Sequence, residues 1–322
     1  DFRNPAPWRQ PFETFYAQTL EQIGSAEQLG FDSVWLTEHH FCDDGYTPSP
    51  LVLAGAIGAA TARLRIGTNL MLLPLHDPVR LAEDAASVSL LTGGRFDLGI
   101  GIGYRQLEFD QFQRKLSHRP SMMEEGVEII RRAWSGAPVN FAGRRYQVGD
   151  LAITPAPENP PQLLLGGMAE PAIDRAARIG DGFLCTGGIG LDLYAQALER
   201  HGKTAEQGKA VLGCWAIIAE DPEAEAARLG EHILYQSNEY IRWGAFGPAD
   251  ETPLFEDAAA AIENGLYELW DADTAVAKIK ALKADYPMLS DIHFWAQFPG
   301  ESLESGSRRM RYIAEQVLPR LR

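Results

Sequence analysis

Short apolar runs alternate with amphipathic segments along almost the whole of this chain, and that rhythm restricts its fold more than any single motif. "FETFYAQTLEQIGSAEQLG" has helical spacing and stops at Gly30, and "FDSVWLTEHH" then reads as a strand. "PLVLAGAIGAATA" is helical, "LRIGTNLMLL" a strand, "PVRLAEDAASVSLLTGG" a helix and "RFDLGIGIG" a strand. "RPSMMEEGVEIIRRAWSG" is the next helix, and the cycle resumes with "QLLLGG", "PAIDRAARIG", "GFLCTGG" and "AVLGCWAIIA". "TAVAKIKALKADY", "DIHFWAQF" and a closing helix complete it. Strands separated by helices pair in parallel, because each crossover returns the chain to the same end of the sheet.

Seven such strands follow residue 33, and an eighth is expected to precede Phe2 and end near "DFRNP". Eight strand–helix units in 322 residues point to a TIM (β/α)8 barrel forming one domain over 1–322. A doubly wound sheet is the alternative, but the glycine-rich phosphate turn after its first strand is missing. Two stretches break the rhythm. Residues 138–161 have the alternation of a hairpin and then a proline-rich loop, and residues 237–256 form an aromatic, Gly/Pro-containing insertion suited to a lid.

A formal net charge of −15 argues against nucleic-acid or anionic-membrane partners, which require clustered Lys and Arg. No run approaches the ~20 apolar residues needed to span a bilayer. The first ten residues lack the apolar core of a signal peptide, and without an initiator Met a few upstream residues are expected. Cys42, Cys185 and Cys214 have neither pairing arithmetic nor CxxC spacing, so a reducing cytoplasm is the expected location.

Barrel chemistry sits where strands end. Along "WLTEHHF", alternation puts Trp35, Thr37 and His39 on one face and Leu36, Glu38 and His40 on the other. His39 is therefore expected at the barrel mouth as a proton donor or acceptor. The two histidines diverge, no metal site is expected, and Glu38 is expected in a supporting ion pair. "GIGIGYRQLEF" fails as a dinucleotide fingerprint, since Gln106 stands where the last glycine is needed, but its backbone lies open to a ligand. "LLLGGMAEP" places two glycines before a helix, whose free amides form an anion site without any lysine.

"GFDSVWLTEHHF", "RIGTNLMLLPLHDPVRLAEDAASVSLLTGGRFDLGIGIGY" and "LLLGGMAEPAIDRAARIGDGF" together resemble the bacterial luciferase-like flavin-dependent monooxygenases, in order and spacing. The resemblance implies a luciferase-like TIM barrel with insertions. It implies His39 as the active-site histidine, with Asn69 and Leu70 as a non-prolyl cis peptide against the flavin ring. It places Gly103, Tyr104 and Arg105 near the FMN phosphate, Gly166, Gly167, Met168 and Ala169 at the phosphate-binding turn, and Thr186 and Gly187 along the ring. Ile102 stands where many relatives have an arginine on the phosphate, and Met168 and Ala169 replace polar side chains. These departures imply weak FMN binding, with reduced FMN arriving as a diffusible co-substrate.

The activity so implied is that of a reduced-FMN-dependent monooxygenase. Such an enzyme uses O2 through a flavin hydroperoxide on a small apolar substrate, with a separate flavin reductase as partner. A deazaflavin-dependent hydride-transfer oxidoreductase on the same barrel is the alternative, and a non-catalytic flavin-binding protein is a further one. A homodimer through the helices following strands two and three is also implied.

Overall fold

A computed structural model describes all of residues 1–322. Seven parallel strands form the barrel wall: β1 (Ser33–Leu36), β2 (Arg65–Thr68), β3 (Phe96–Gly101), β4 (Gln162–Gly166), β5 (Gly182–Thr186), β6 (Ala210–Cys214) and β7 (Leu289–Phe294), each paired with the next. Met71–Leu72 adds a short eighth piece to the sheet, alongside β3. The helices that matter to the site are α1 (Phe12–Gln28), α2 (Pro50–Ala60), α3 (Pro78–Leu91), α4 (Gln106–Gln111), α5 (Arg119–Trp134) and α6 (Glu170–Ile179).

Strands covered on both faces read as continuous apolar runs, and every residue of β3 is buried. Leu164, Leu184 and Val211 fill the barrel interior, with Trp35 and Leu70 packed on them. Helix α3 starts with the chemistry such a start favours. Asp77 accepts from the amides of Val79 and Arg80, and Pro78 occupies a first-turn position that has no use for an N–H. No helix is long and apolar enough to cross a membrane.

The strand expected to precede Phe2 lies ahead of the residues described; residues 1–5 form none, and β1 and β7 do not pair. The seam between them is bridged by side chains: Ser33 Oγ and Trp35 Nε1 donate to Asp291 at 2.7 and 3.3 Å. Two of the sequence expectations need correction. "LRIGTNLMLL" is not one strand. It breaks at the cis Asn69–Leu70 peptide, which separates β2 from Met71–Leu72. The stretch 237–256 begins as helix, since Ser237–Arg242 completes the helix Gly230–Arg242 before a loop follows.

The hairpin does form, from the antiparallel strands Val139–Ala142 and Gln147–Leu151. A second small parallel pair, Ala216–Ile218 with Glu268–Trp270, carries its own apolar cluster including Leu229 and Ile233. That cluster anchors the helix Gly230–Arg242 over the barrel mouth. Helices α2 and α3 leave Val52, Leu90 and Leu91 exposed.

Candidate active site

The chain leaves β1 at Leu36, and the next four residues cross the barrel mouth. His39 is buried there, with Nδ1 2.9 Å from Glu108 Oε1 and Nε2 3.3 Å from the Tyr104 hydroxyl. A carboxylate at Nδ1 keeps that nitrogen protonated and leaves Nε2 with the lone pair. The same Glu108 oxygen accepts from the His40 amide at 2.9 Å and from Arg105 Nη1 at 3.2 Å. Burial pushes the Glu108 carboxyl up, but His39, the His40 amide and Arg105 together hold it below its ordinary value. Burial raises the Tyr104 phenol well above its ordinary value, so it remains a neutral hydroxyl.

His40 points away from His39 to Glu38 Oε1 at 3.0 Å, where His76 Nε2 also arrives at 2.7 Å. Burial pushes Glu38 up, yet His76 and His40 bring it down to about 2. Ligand-type atoms of Glu38, His40 and His76 lie within 4.8 Å of one another. Both imidazoles are directed at the same carboxylate oxygen.

Opposite His39 the site is built from backbone. Gly166, Gly167, Met168 and Ala169 line the cavity, and α6 starts at Glu170 with no side-chain cap on its amides. A Cβ on Gly166 would meet Leu70 Cδ2 at 2.4 Å, and Gly103 turns at φ +70 to let the chain leave β3 beside Leu72. Thr186 also lines the cavity, whereas Gly187 donates its amide to the Gly213 carbonyl and is not among the lining residues. Asn69 Nδ2 lies 3.0 Å from His293 Nε2, and His293 stacks on Trp35. Burial drives His293 down to about 4, so it is neutral at pH 7, and its buried Nδ1 has no protein partner. The whole cavity measures about 970 Å³ and extends down the β1–β7 seam.

Arg105 is placed otherwise than expected. Its guanidinium is buried, donates to the His40 carbonyl at 2.8 Å and lies 4.7 Å from the centre of the Trp243 ring. It supports the His39 side and does not line the cavity, where the basic side chain beside Gly103 and Tyr104 is Arg119. Glu108, His76 and Arg119 went unnoticed in the sequence. The signal for Glu108 was available: a carboxylate set between Leu107 and Phe109, three residues after an arginine, has reason to be buried and paired.

An apolar cavity, an uncapped helix N-terminus and a glycine surface fit a planar ring with a phosphate-bearing chain. The family model described as luciferase-like monooxygenase matches residues 5–283. An F420-dependent glucose-6-phosphate dehydrogenase of Amycolatopsis mediterranei is 29% identical, over 95% of this chain and 98% of that protein. One from Gordonia bronchialis is 32% identical over 83% and 85%. Among solved structures, monooxygenase RslO1 from Streptomyces bottropensis superposes with a TM-score of 0.81 at 24% identity, covering 99% of this chain and 97% of that one.

Proposed function

We propose, from the premise that this chain belongs to the luciferase-like monooxygenase family, that it is a deazaflavin-dependent oxidoreductase working between an alcohol and its carbonyl compound. Similarity to the deazaflavin-dependent dehydrogenases over most of the chain favours that cofactor over FMN. The observation that carries the chemistry is the Glu108–His39–Tyr104 line at the mouth of the cavity. A bound deazaflavin would supply two-electron hydride chemistry.

The protein's own part is proton handling and enclosure. Glu108 fixes the imidazole so that Nε2 faces the cavity as a base. A substrate hydroxyl would take the place now held by the Tyr104 hydroxyl, give its proton to His39 Nε2 and receive it back in the reverse direction. Tyr46 and Trp243 pack within 4.9 and 5.1 Å of the His39 ring and exclude water from it. This aromatic surround suits a small, largely apolar substrate. The backbone of the Gly166–Ala169 turn and the Glu170 amide that opens α6 would hold the phosphate.

A reduced-FMN monooxygenase with O2 and a separate reductase is the second reading, and the same water-excluding roof favours it. Anaerobic titration with oxidised deazaflavin and with FMN, followed by a panel of alcohols, separates the two. The expected result is tighter deazaflavin binding and alcohol-dependent loss of its oxidised absorbance. FMN binding with no deazaflavin binding would overturn the main reading.

A further inference from the structure

From His39 the cavity wall continues into a cluster of rings. Tyr46 packs 4.9 Å from the His39 ring, and its hydroxyl lies 2.8 Å from that of Tyr240. Trp215, the first residue past β6, has its ring centre 5.5 Å from Tyr240. Trp295, the first residue past β7, lies 6.0 Å from Trp215. Phe246 closes the group at 6.2 Å from Trp215 and 6.4 Å from Tyr240, and its side of the cluster is open, with 42% of the residue exposed. Each of these rings lines the cavity. Phe246 is carried on the loop after the helix Gly230–Arg242, between Gly244 at φ +81 and Gly247 at φ +134, conformations that glycine adopts without strain.

The cations of the same cavity stand elsewhere or are already paired. Arg65 opens β2 and bonds Asp97 at 2.6 Å, Arg322 donates to the Gly30 carbonyl ahead of β1, and Lys283 precedes β7, so these side chains sit where strands begin. Towards the mouth, Arg309 is held by Glu301 at 2.6 Å and Glu225 at 3.0 Å, and Arg119 donates to the Gly103 carbonyl at 2.9 Å. Arg3 lies behind the rings, 4.9 Å from the centre of Tyr46 and 5.3 Å from that of Trp295, but it is paired with Asp1 and does not line the cavity. A dianion set against these rings would lose its hydration and gain no counter-charge. A hydrocarbon would gain by burial.

We propose, on the deazaflavin reading of the site, that Trp215, Tyr240, Phe246 and Trp295 hold the carbon skeleton of a neutral, hydrocarbon-rich alcohol, with Phe246 setting the size accepted. Similarity to the F420-dependent glucose-6-phosphate dehydrogenases then does not extend to a sugar phosphate as substrate.

Steady-state turnover of the intact protein with deazaflavin tests this with three substrates: cyclohexanol, propan-2-ol and glucose 6-phosphate. Wild-type kcat/KM should be at least ~10-fold higher for cyclohexanol than for propan-2-ol, since each buried methylene is worth about fourfold, and glucose 6-phosphate should not be turned over. In Phe246→Ala, cyclohexanol should lose about fivefold in kcat/KM, through KM, while propan-2-ol stays within about twofold of wild type. Equal losses for the two alcohols would overturn the role of Phe246, which general damage to the fold would also produce but a size-setting contact would not. Turnover of glucose 6-phosphate in preference to both alcohols would overturn the apolar site while leaving the deazaflavin reading standing. Bound deazaflavin that none of the three substrates reduces would remove both.

Discussion

The two sides of the barrel mouth are built from different materials. On the β1 side, His39, Glu108, Arg105, His40, Glu38 and His76 interlock through polar side chains, nearly all of them buried. On the β4 side, glycines and alanines ahead of and within the first turn of α6 do the lining, and Met168 is half exposed. Moving a proton requires a group with an oriented lone pair, which a network must hold in place. Holding a phosphate requires only directed N–H groups and room for close approach. One side should therefore govern turnover and the other affinity.

Replacing His39 is the most severe challenge to that division. His39→Ala should lower turnover by ~10²–10⁴-fold, as expected for loss of a general acid–base group, while cofactor affinity changes little. Unchanged turnover in steady-state kinetics would remove the proton-transfer role from this side.

Glu38 tests whether the β1 network is held together by charge. Its lowered carboxyl contributes stability that is complete above its ordinary value of 4.5 and is lost as pH falls towards about 2. His76 is shifted the other way: burial lowers it, but Glu38 more than offsets this and raises it. Its contribution is complete below its ordinary value of 6.5 and is lost as pH rises through the raised one. Glu38→Gln should cost about 2 kcal/mol in urea unfolding near pH 5.5, and the cost should shrink at more acidic and more alkaline pH. A penalty independent of pH would mean that packing, not charge, holds these residues.

The smallest effect is expected across the mouth. Gly167 sits at φ +158, and a Cβ there would come within 2.5 Å of the Ala172 Cβ. Gly167→Ala should therefore displace the turn and weaken cofactor binding by about fivefold, with turnover at saturation nearly preserved. A fall in turnover without a change in binding would break the contrast between the two sides.

Much of this molecule could be read from local pattern. The alternation of periods yields the parallel sheet and its helices, and the strand-end rule singles out His39 and the Gly166–Ala169 turn. Strand periodicity also separates His39 from His40, and the structure sends them to different carboxylates. The interruption of the second strand at Asn69–Leu70 escaped the pattern, because apolar periodicity reports which residues are buried and not where the backbone turns.

What the sequence alone determined is thus the order of elements and the residue types offered at each strand end, since both follow from side-chain spacing of a few residues. Tertiary structure decided who partners whom. It set Glu108 against His39 from 69 positions away, brought His76 to Glu38 from 38 positions away and laid Trp243 over Arg105. It also turned Arg105 inward and left Arg119 facing the cavity. Such pairings depend on how whole helices and loops pack on the barrel, and a one-dimensional pattern holds no record of that distance.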